Sequence, residues 1–203
     1  MKKNKISKNW INKQKRDIYV RRSKVEGYRS RAVYKLKEID EKFNILENGI
    51  SLIDLGAAPG SWSQYVSKKI KNGKILSIDL NKIDKIGNTF QIKGDFTVPK
   101  YQNEIKDYFG SKVDVVLSDM AVNTTGNKYL DSIYTGELCM EAMNFCKEML
   151  NDDGKFVSKL FMGSMFNEIV AEAKKIFKES KVFKPAASRK DSKESFIICK
   201  FLQ

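Results

Sequence analysis

The sequence predicts an α/β fold: a mostly parallel seven-stranded sheet with one antiparallel strand, covered by helices on both faces. Three observations predict it. Short apolar runs alternate with helical patterns along most of the chain, the order that builds parallel βαβ units. A glycine-rich turn, Asp54-Leu55-Gly56-Ala57-Ala58-Pro59-Gly60-Ser61-Trp62, follows the first run, at the strand end where an open sheet receives its ligand. The last two runs have no helix between them, so they pair as a hairpin-like return that reverses one strand.

The elements follow in order. Residues 1–28 are polar and basic and read as an extended or loosely ordered arm. Its Trp10, Tyr19 and Tyr28 suit either stacking on bases or pinning the arm to the domain. Ser30–Phe43 is a helix, with Val33, Leu36, Ile39 and Phe43 at helical spacing and Ser30 as N-cap. Strands follow at 50–55, 74–79, 90–93, 113–118 and 155–160. Helices fall between them at 62–71, 99–109 and 132–150, the last with Tyr134, Leu138, Phe145 and Met149 on one face. Pro99 suits the first turn of its helix. A further helix at 165–178 precedes two closing strands, near 182–183 and at 195–201.

Bulk properties bound the function. The 203 residues suit one domain, from about residue 29 to the end, behind the arm. No run approaches the ~18 apolar residues of a membrane helix, and the first ten residues have no apolar core of a secretory signal. A transit peptide is matched only in its shortage of acids, not in arginine content. Cys139, Cys146 and Cys199 are odd in number and lack CxxC spacing, so buried reduced thiols in a cytoplasmic protein are expected, with no metal site. The chain has no histidine. That removes Ser-His-Asp and Cys-His catalysis and leaves proton transfer to Lys, Asp, Glu, Tyr or Cys.

Charge is uneven. The net charge is +13, and residues 1–31 carry twelve Lys/Arg against two acids. A concentrated basic arm is the footprint of a polyanion binder, since neutralised phosphates release counterions. Nucleic acid is the expected partner, not a membrane.

The glycine turn has G-x-x-x-G spacing instead of G-x-G-x-x-G, and Trp62 stands where a dinucleotide-binding helix wants a small residue. A pyrophosphate clamp, and with it a nicotinamide oxidoreductase, is disfavoured. Asp54 before the turn suits a cofactor with a positively charged amino-acid end. Asp79 closes the second strand and can accept from ribose hydroxyls. Asp95 closes the third and can accept from an adenine amino group. The fourth strand runs into Ser118-Asp119-Met120-Ala121-Val122-Asn123. The fifth carries Lys159, an expensive residue in an apolar strand unless paired or functional. Glu194 precedes the last strand.

These residues carry a resemblance. From about Tyr28 to its end the chain resembles the FtsJ-type family of large-subunit ribosomal RNA 2'-O-methyltransferases. The matching motifs are Ser30-Arg-Ala-Val-Tyr-Lys35-Leu, the turn from Asp54 through Trp62 to Gln64, Gly94-Asp95-Phe96, Ser118-Asp119-Met-Ala, Lys159, Lys184-Pro185-Ala-Ala-Ser188-Arg189 and Ser192-Lys-Glu194. The resemblance implies a Rossmann-like class I methyltransferase fold, with S-adenosyl-L-methionine over Gly56, Ala57, Pro59, Gly60 and Trp62, and Asp54, Asp79, Asp95 and Asp119 around it. It implies a catalytic tetrad of Lys35, Asp119, Lys159 and Glu194. It also points to an A-loop uridine of large-subunit rRNA within the ribosomal particle. A tRNA 2'-O-methyltransferase of the same superfamily and a noncatalytic RNA-binding assembly factor are the rivals, and a monomer is expected. Two positions depart from the family: Val122 stands in place of a proline, and Ser61 in place of the second glycine before Trp62. For Lys159, burial and Lys35 favour the neutral amine of a general base, whereas Asp119 and Glu194 favour the ammonium of an orienting group.

Overall fold

In the computed structural model, which describes residues 16–122 and 127–203, one sheet of seven strands forms the middle layer. Its strands are β1 (Leu52–Leu55), β2 (Ile75–Asp79), β3 (Thr89–Lys93), β4 (Val113–Ser118), β5 (Leu150–Phe161), β6 (Phe177–Phe183) and β7 (Glu194–Leu202), in the order β3-β2-β1-β4-β5-β7-β6. All neighbouring pairs from β3 to β5 are parallel, and β7 runs antiparallel to both β5 and β6. The expected architecture is therefore present, with β7 as the single reversed strand.

Six helices among the described residues cover the sheet: α1 (Ile18–Val25), α2 (Val33–Phe43), α3 (Ser61–Lys69), α4 (Pro99–Phe109), α5 (Lys128–Met149) and α6 (Phe166–Ile176). Successive strand residues point to opposite faces, and the two cores follow that alternation. Val116, Phe156 and Ile197 pack with Phe109, Phe145 and Ile169 on the α4–α5–α6 side. Val115, Leu117, Val157 and Phe196 pack with Leu36, Ile39, Trp62 and Val66 on the α2–α3 side. Cys139, Cys146 and Cys199 are free thiols in the first core. No helix of the described residues is long and apolar enough to cross a membrane.

Several boundaries differ from expectation. Ile18–Val25 is helical rather than extended, because Asp17 caps it, accepting from Tyr19 N at 3.0 Å, and the helix has a surface to rest on. Tyr19 and Tyr28 both lie against Tyr34, with ring centroids 5.3 and 6.5 Å away. Those two aromatics pin the segment to the domain. Trp10 and the lysine-rich residues before Arg16 lie outside the described residues, as does Asn123. Helix α2 starts at Val33 without a side-chain cap, and the Ser30 hydroxyl is instead 2.7 Å from that of Ser61. Helix α5 starts at Lys128, capped by Asn127, and leaves Tyr134 exposed, with Cys139, Ala142, Met143 and Cys146 as its buried stripe. Strand β5 begins directly after α5, with a register shift against β4 between Val113 and Val115. Helix α6 ends at Ile176, because Phe177 is drawn into the core, stacked on Phe156 at 5.9 Å, and opens an edge strand. The charged run Lys178–Lys181 looks helical in sequence but is the solvated edge of β6, which discourages pairing with a second sheet.

Asp40 ties α2 to α3. It is buried and accepts from Leu46 N and Tyr65 Oη, both at 2.8 Å, and from Lys69 Nζ. Replacing it strands two buried donors. The expected outcome for Asp40→Ala is a loss of roughly 3 kcal/mol in urea unfolding, and a loss below about 0.5 kcal/mol, the level of a surface substitution, would contradict this role.

Candidate active site

The turn after β1 is built from close backbone approaches. Gly56 has φ +72°, and a Cβ there would lie 2.8 Å from Met120 Cα at the end of β4. Gly60 has φ +106° and would clash with Ile86 Cδ1 and Arg29 Nη1. Gly56 is thus required by the Met120 backbone and Gly60 by its positive φ, apart from any ligand. Ala57 is buried against Ile83 and Ile86. The Ala58–Pro59 peptide is cis. The Pro59 carbonyl accepts from Arg29 Nη1 at 3.0 Å, and the same guanidinium donates to the carbonyls of Asp84 and Lys85. Arg29 therefore fastens the turn to the loop after β2. Trp62 faces the α2–α3 core, 5.8 Å from the Phe196 ring, with Nε1 donating to Ala32 O at 2.8 Å.

In front of this turn lies a cavity of about 490 Å³, walled by Gly56, Asp79, Asp95, Asp119, Met120 and Leu138 among others. Its described lining has three carboxylates and no Lys or Arg. That charge repels a pyrophosphate and suits a ligand with hydroxyls, amines or a cationic centre. Asp79 accepts from Ala58 N (3.0 Å) and Asn81 N (2.8 Å), so the end of β2 is locked to the glycine turn. Asp95 accepts from Thr97 N and Oγ1 at 3.0 and 2.8 Å. Of the nine residues expected around the cofactor, Gly56, Asp79, Asp95 and Asp119 line the cavity, and Asp54, Ala57, Pro59, Gly60 and Trp62 are not in its wall. Val122, at the position where the family carries proline, is also in the wall.

The four tetrad residues come from four elements and meet at the carboxyl edge of the sheet. Lys159, only 7% exposed, donates to the Asp119 backbone carbonyl at 2.6 Å and has its Nζ 2.9 Å from Asp119 Oδ1. The pairing of β5 with β7 sets Lys159 opposite Phe196 and Phe161 opposite Glu194. Lys35 reaches across from α2 to Glu194 Oε2 at 2.7 Å, its ammonium 5.8 Å from the Phe196 ring centroid. Burial works against the Lys35 charge, but the Asp119 and Glu194 carboxylates outweigh it and lift its pKa above that of an ordinary lysine. Burial likewise opposes the Asp119 charge, and Lys159 and Lys35 overcome it, holding this carboxyl below the ordinary aspartate value. The cluster thus joins two ion pairs, Lys159–Asp119 and Lys35–Glu194, through Asp119.

One contributor was not singled out from the sequence. Ser188 Oγ donates to Glu194 Oε1 at 2.8 Å and fixes that carboxylate from its far side. Its signal was present in Lys184-Pro185-Ala-Ala-Ser188-Arg189, but nothing in the chain links that stretch to Glu194 until the loop folds back. Beside the tetrad, a second hollow of about 320 Å³ is lined by Ser30, Arg31, Lys35, Arg189, Ser192 and Glu194. Three cations against one acid make it the electropositive side of the site. Asp17, at the start of α1, pairs with Arg31 and lies 3.8 Å from Arg189 Nε.

Comparison with known proteins shows what the chain as a whole is similar to. The model of the FtsJ-like methyltransferase family matches residues 28–202. A ribosomal RNA large subunit methyltransferase E of Pelagibacter ubique is 70% identical over 203 residues, the whole of both chains. Its counterpart in Rickettsia bellii is 43% identical over 198 residues, covering 95% of this chain and 87% of the relative. Among solved structures, a ribosomal RNA methyltransferase from Plasmodium falciparum superposes with a TM-score of 0.78 at 32% identity, over 86% of this chain and 98% of that one.

Asp54 is fully buried; its Oδ2 accepts from Ser63 Oγ at 2.6 Å and its Oδ1 has no hydrogen-bond partner. Burial, helped by Asp119 and Asp79, pushes it up to about 7 against the Ser63 hydrogen bond. Between its unfolded value, about 4, and that folded value the native state keeps a proton the unfolded chain has lost. Its stabilising share is therefore present at low pH and disappears as pH rises through this window. Asp54→Asn, which cannot ionise, is expected to gain on the wild type between pH 5 and pH 8 by on the order of 2 kcal/mol in urea unfolding. A stability difference that does not change with pH would refute the burial effect.

Proposed function

Because the chain belongs to the FtsJ-like methyltransferase family, we propose that it transfers a methyl group from S-adenosylmethionine to a ribose 2'-hydroxyl of large-subunit ribosomal RNA. The observation that carries this reading is the buried Lys159–Asp119 pair at the rim of the carboxylate-lined cavity. The two ribosomal RNA large subunit methyltransferases that the chain resembles support the rRNA substrate, and an A-loop uridine is the first position to test.

The cavity fits the cofactor by the chemistry of its donors. Asp79 and Asp95, at the ends of β2 and β3, would hold the ribose hydroxyls and the adenine, with Gly56 leaving room beside them. Asp119, kept ionised by its two lysines, faces the same space and complements a positive charge. The cofactor supplies a methyl group on a sulfonium, already activated for displacement.

The remaining work is alignment and removal of one proton. Lys35, held as an ammonium by Glu194, donates to the sugar or its phosphate. Lys159, once its ammonium has given up its own proton, takes the proton of the 2'-hydroxyl at Nζ as the oxygen forms its new bond to carbon. Asp119 then holds the resulting ammonium through its backbone carbonyl and its carboxylate. Ser188 and Lys35 keep Glu194 from drawing Lys159 away from Asp119. The electropositive hollow of Arg31, Lys35 and Arg189 receives backbone phosphate next to the target sugar. The lysine-rich residues at the start of the chain add RNA affinity to a methyltransferase domain that starts near residue 29.

The direct test incubates the protein and labelled cofactor with rRNA, large subunits and tRNA, then maps the mark. A 2'-O-methyl group on large-subunit RNA is expected; a mark on tRNA alone, or on a base, would refute the reading. Lys159→Ala should bind cofactor as the wild type does but lose methyl transfer by about 100-fold or more, and full activity would remove Lys159 from the mechanism. Residues 2–15 contain six lysines and no acid. Their deletion should lower the slope of log affinity for RNA against log salt by up to about 4, roughly 0.7 for each lysine that meets a phosphate. An unchanged slope would show that the arm does not touch RNA.

A further inference from the structure

A third cavity, about 450 Å³, opens where β5 ends and β7 begins, under the start of α5. Tyr129 and Ser132 of α5, Phe161 and Met162 from the end of β5, and Ser192 and Lys193 before β7 are among its walls. It adjoins the tetrad: Ser192 also lines the electropositive hollow, and Phe161 pairs with Glu194 in the sheet. Met162 N donates to Lys193 O at 2.9 Å and closes the floor between the two strands.

We propose that this cavity receives the nucleobase of the target nucleotide, stacked on Tyr129, while its ribose lies over Lys159. The inference rests on the ribose reading of the tetrad and deepens it. Four features support a base. Tyr129 is 62% and Met162 45% exposed, so a phenol ring and a thioether stand bare where a flat apolar face can cover them. Ser132 is 92% buried, and its Oγ has no hydrogen-bond partner. Buried hydroxyls are satisfied as a rule, so an orphan in a cavity wall matches a polar atom of a ligand, such as a base carbonyl or imino group. The charged lining is Asp131, Asp191 and Lys193, without the cluster of cations that Arg31, Lys35 and Arg189 form on the other side, where backbone phosphate is better placed. The location is also fixed by chain order: Lys159 is two residues from Phe161, so an occupant of the cavity stands beside the tetrad rather than across the molecule. A sugar delivered to Lys159 has its phosphate and its base on opposite sides, and the two hollows match that division. Recognition of an unstacked base by an aromatic platform is the usual way single-stranded RNA is read.

The test compares wild type with Tyr129→Ala on two forms of the RNA that the wild type methylates, one complete and one whose target sugar carries no base. Single-turnover rates are measured, and cofactor affinity is measured alongside. Loss of the base should slow the wild type roughly tenfold, and Tyr129→Ala should slow the complete RNA by a similar factor. On the RNA without the base, variant and wild type should then react equally, because the contact removed is the same one. Cofactor affinity should not change. Equal slowing of both RNAs by Tyr129→Ala, or no slowing of either, overturns the base pocket while leaving the ribose reading intact. A wild type that marks no ribose overturns that reading first, and the pocket with it, before any variant is compared.

Discussion

A lysine ammonium inside an apolar strand sets the terms for this whole edge of the molecule. Lys159 lies between Ser158 and Leu160 near the carboxyl end of β5, almost fully enclosed. Desolvating that amine is affordable only because Asp119 meets it with a carbonyl and a carboxylate at hydrogen-bond range. Asp119 in turn must stand at the end of β4, and the parallel register of Ser118 with Ser158 puts it there. Lys35 and Glu194 repeat the arrangement from the opposite side, α2 and β7. Neither pair is complete without the other, since Asp119 also holds the charge of Lys35. The crossing of four separate elements at one point is what the rest of the fold has to guarantee.

The fold secures that point by separating two electrostatic halves. On the β1–β2–β3 side the strand ends carry Asp79, Asp95 and Asp119, and no cation lines the described wall. On the β5–β7 side Arg31, Lys35 and Arg189 gather around one acid. Under the proposed function, this division would steer a cationic donor and an anionic acceptor to opposite flanks of Lys159. Arg29 joins the halves mechanically. Its backbone N donates to Gln64 Oε1, and its guanidinium donates to the Pro59, Asp84 and Lys85 carbonyls. The chain that leaves α1 toward the tetrad therefore also braces the turn in front of the cofactor cavity.

Particular residues show how far sequence reasoning reached. The seven-stranded, mostly parallel sheet and its one reversed strand were legible because periodicity and the missing last crossover leave few topologies, whereas the order of the strands came only from the structure. Lys159 was legible because a charge inside an apolar run conflicts with its surroundings. Gly56 and Gly60 were legible as special positions but for a different reason: Met120, Ile86 and Arg29 crowd them. Trp62 shows the opposite case, a motif residue whose ring and indole nitrogen are engaged by Phe196 and Ala32. Helix α1 was missed because its eight residues carry little amphipathic signal; its stability comes from the Asp17 cap and from Tyr34. Strand β6 was shortened for the same kind of reason, since its outer face is solvated and its pairing with β7 is not written in its own residues.

By itself the sequence determined the α/β class, the glycine turn, the basic N-terminal bias and the residue types available for proton transfer, because each is a local or compositional property. Only the tertiary structure decided which charges neutralise which, that Ser188 supports Glu194, and that a hollow of about 450 Å³ with an orphaned Ser132 hydroxyl opens beside the tetrad. Those facts depend on distances between residues up to 159 positions apart in the chain, and such distances are fixed by strand register and packing, not by spacing along the backbone.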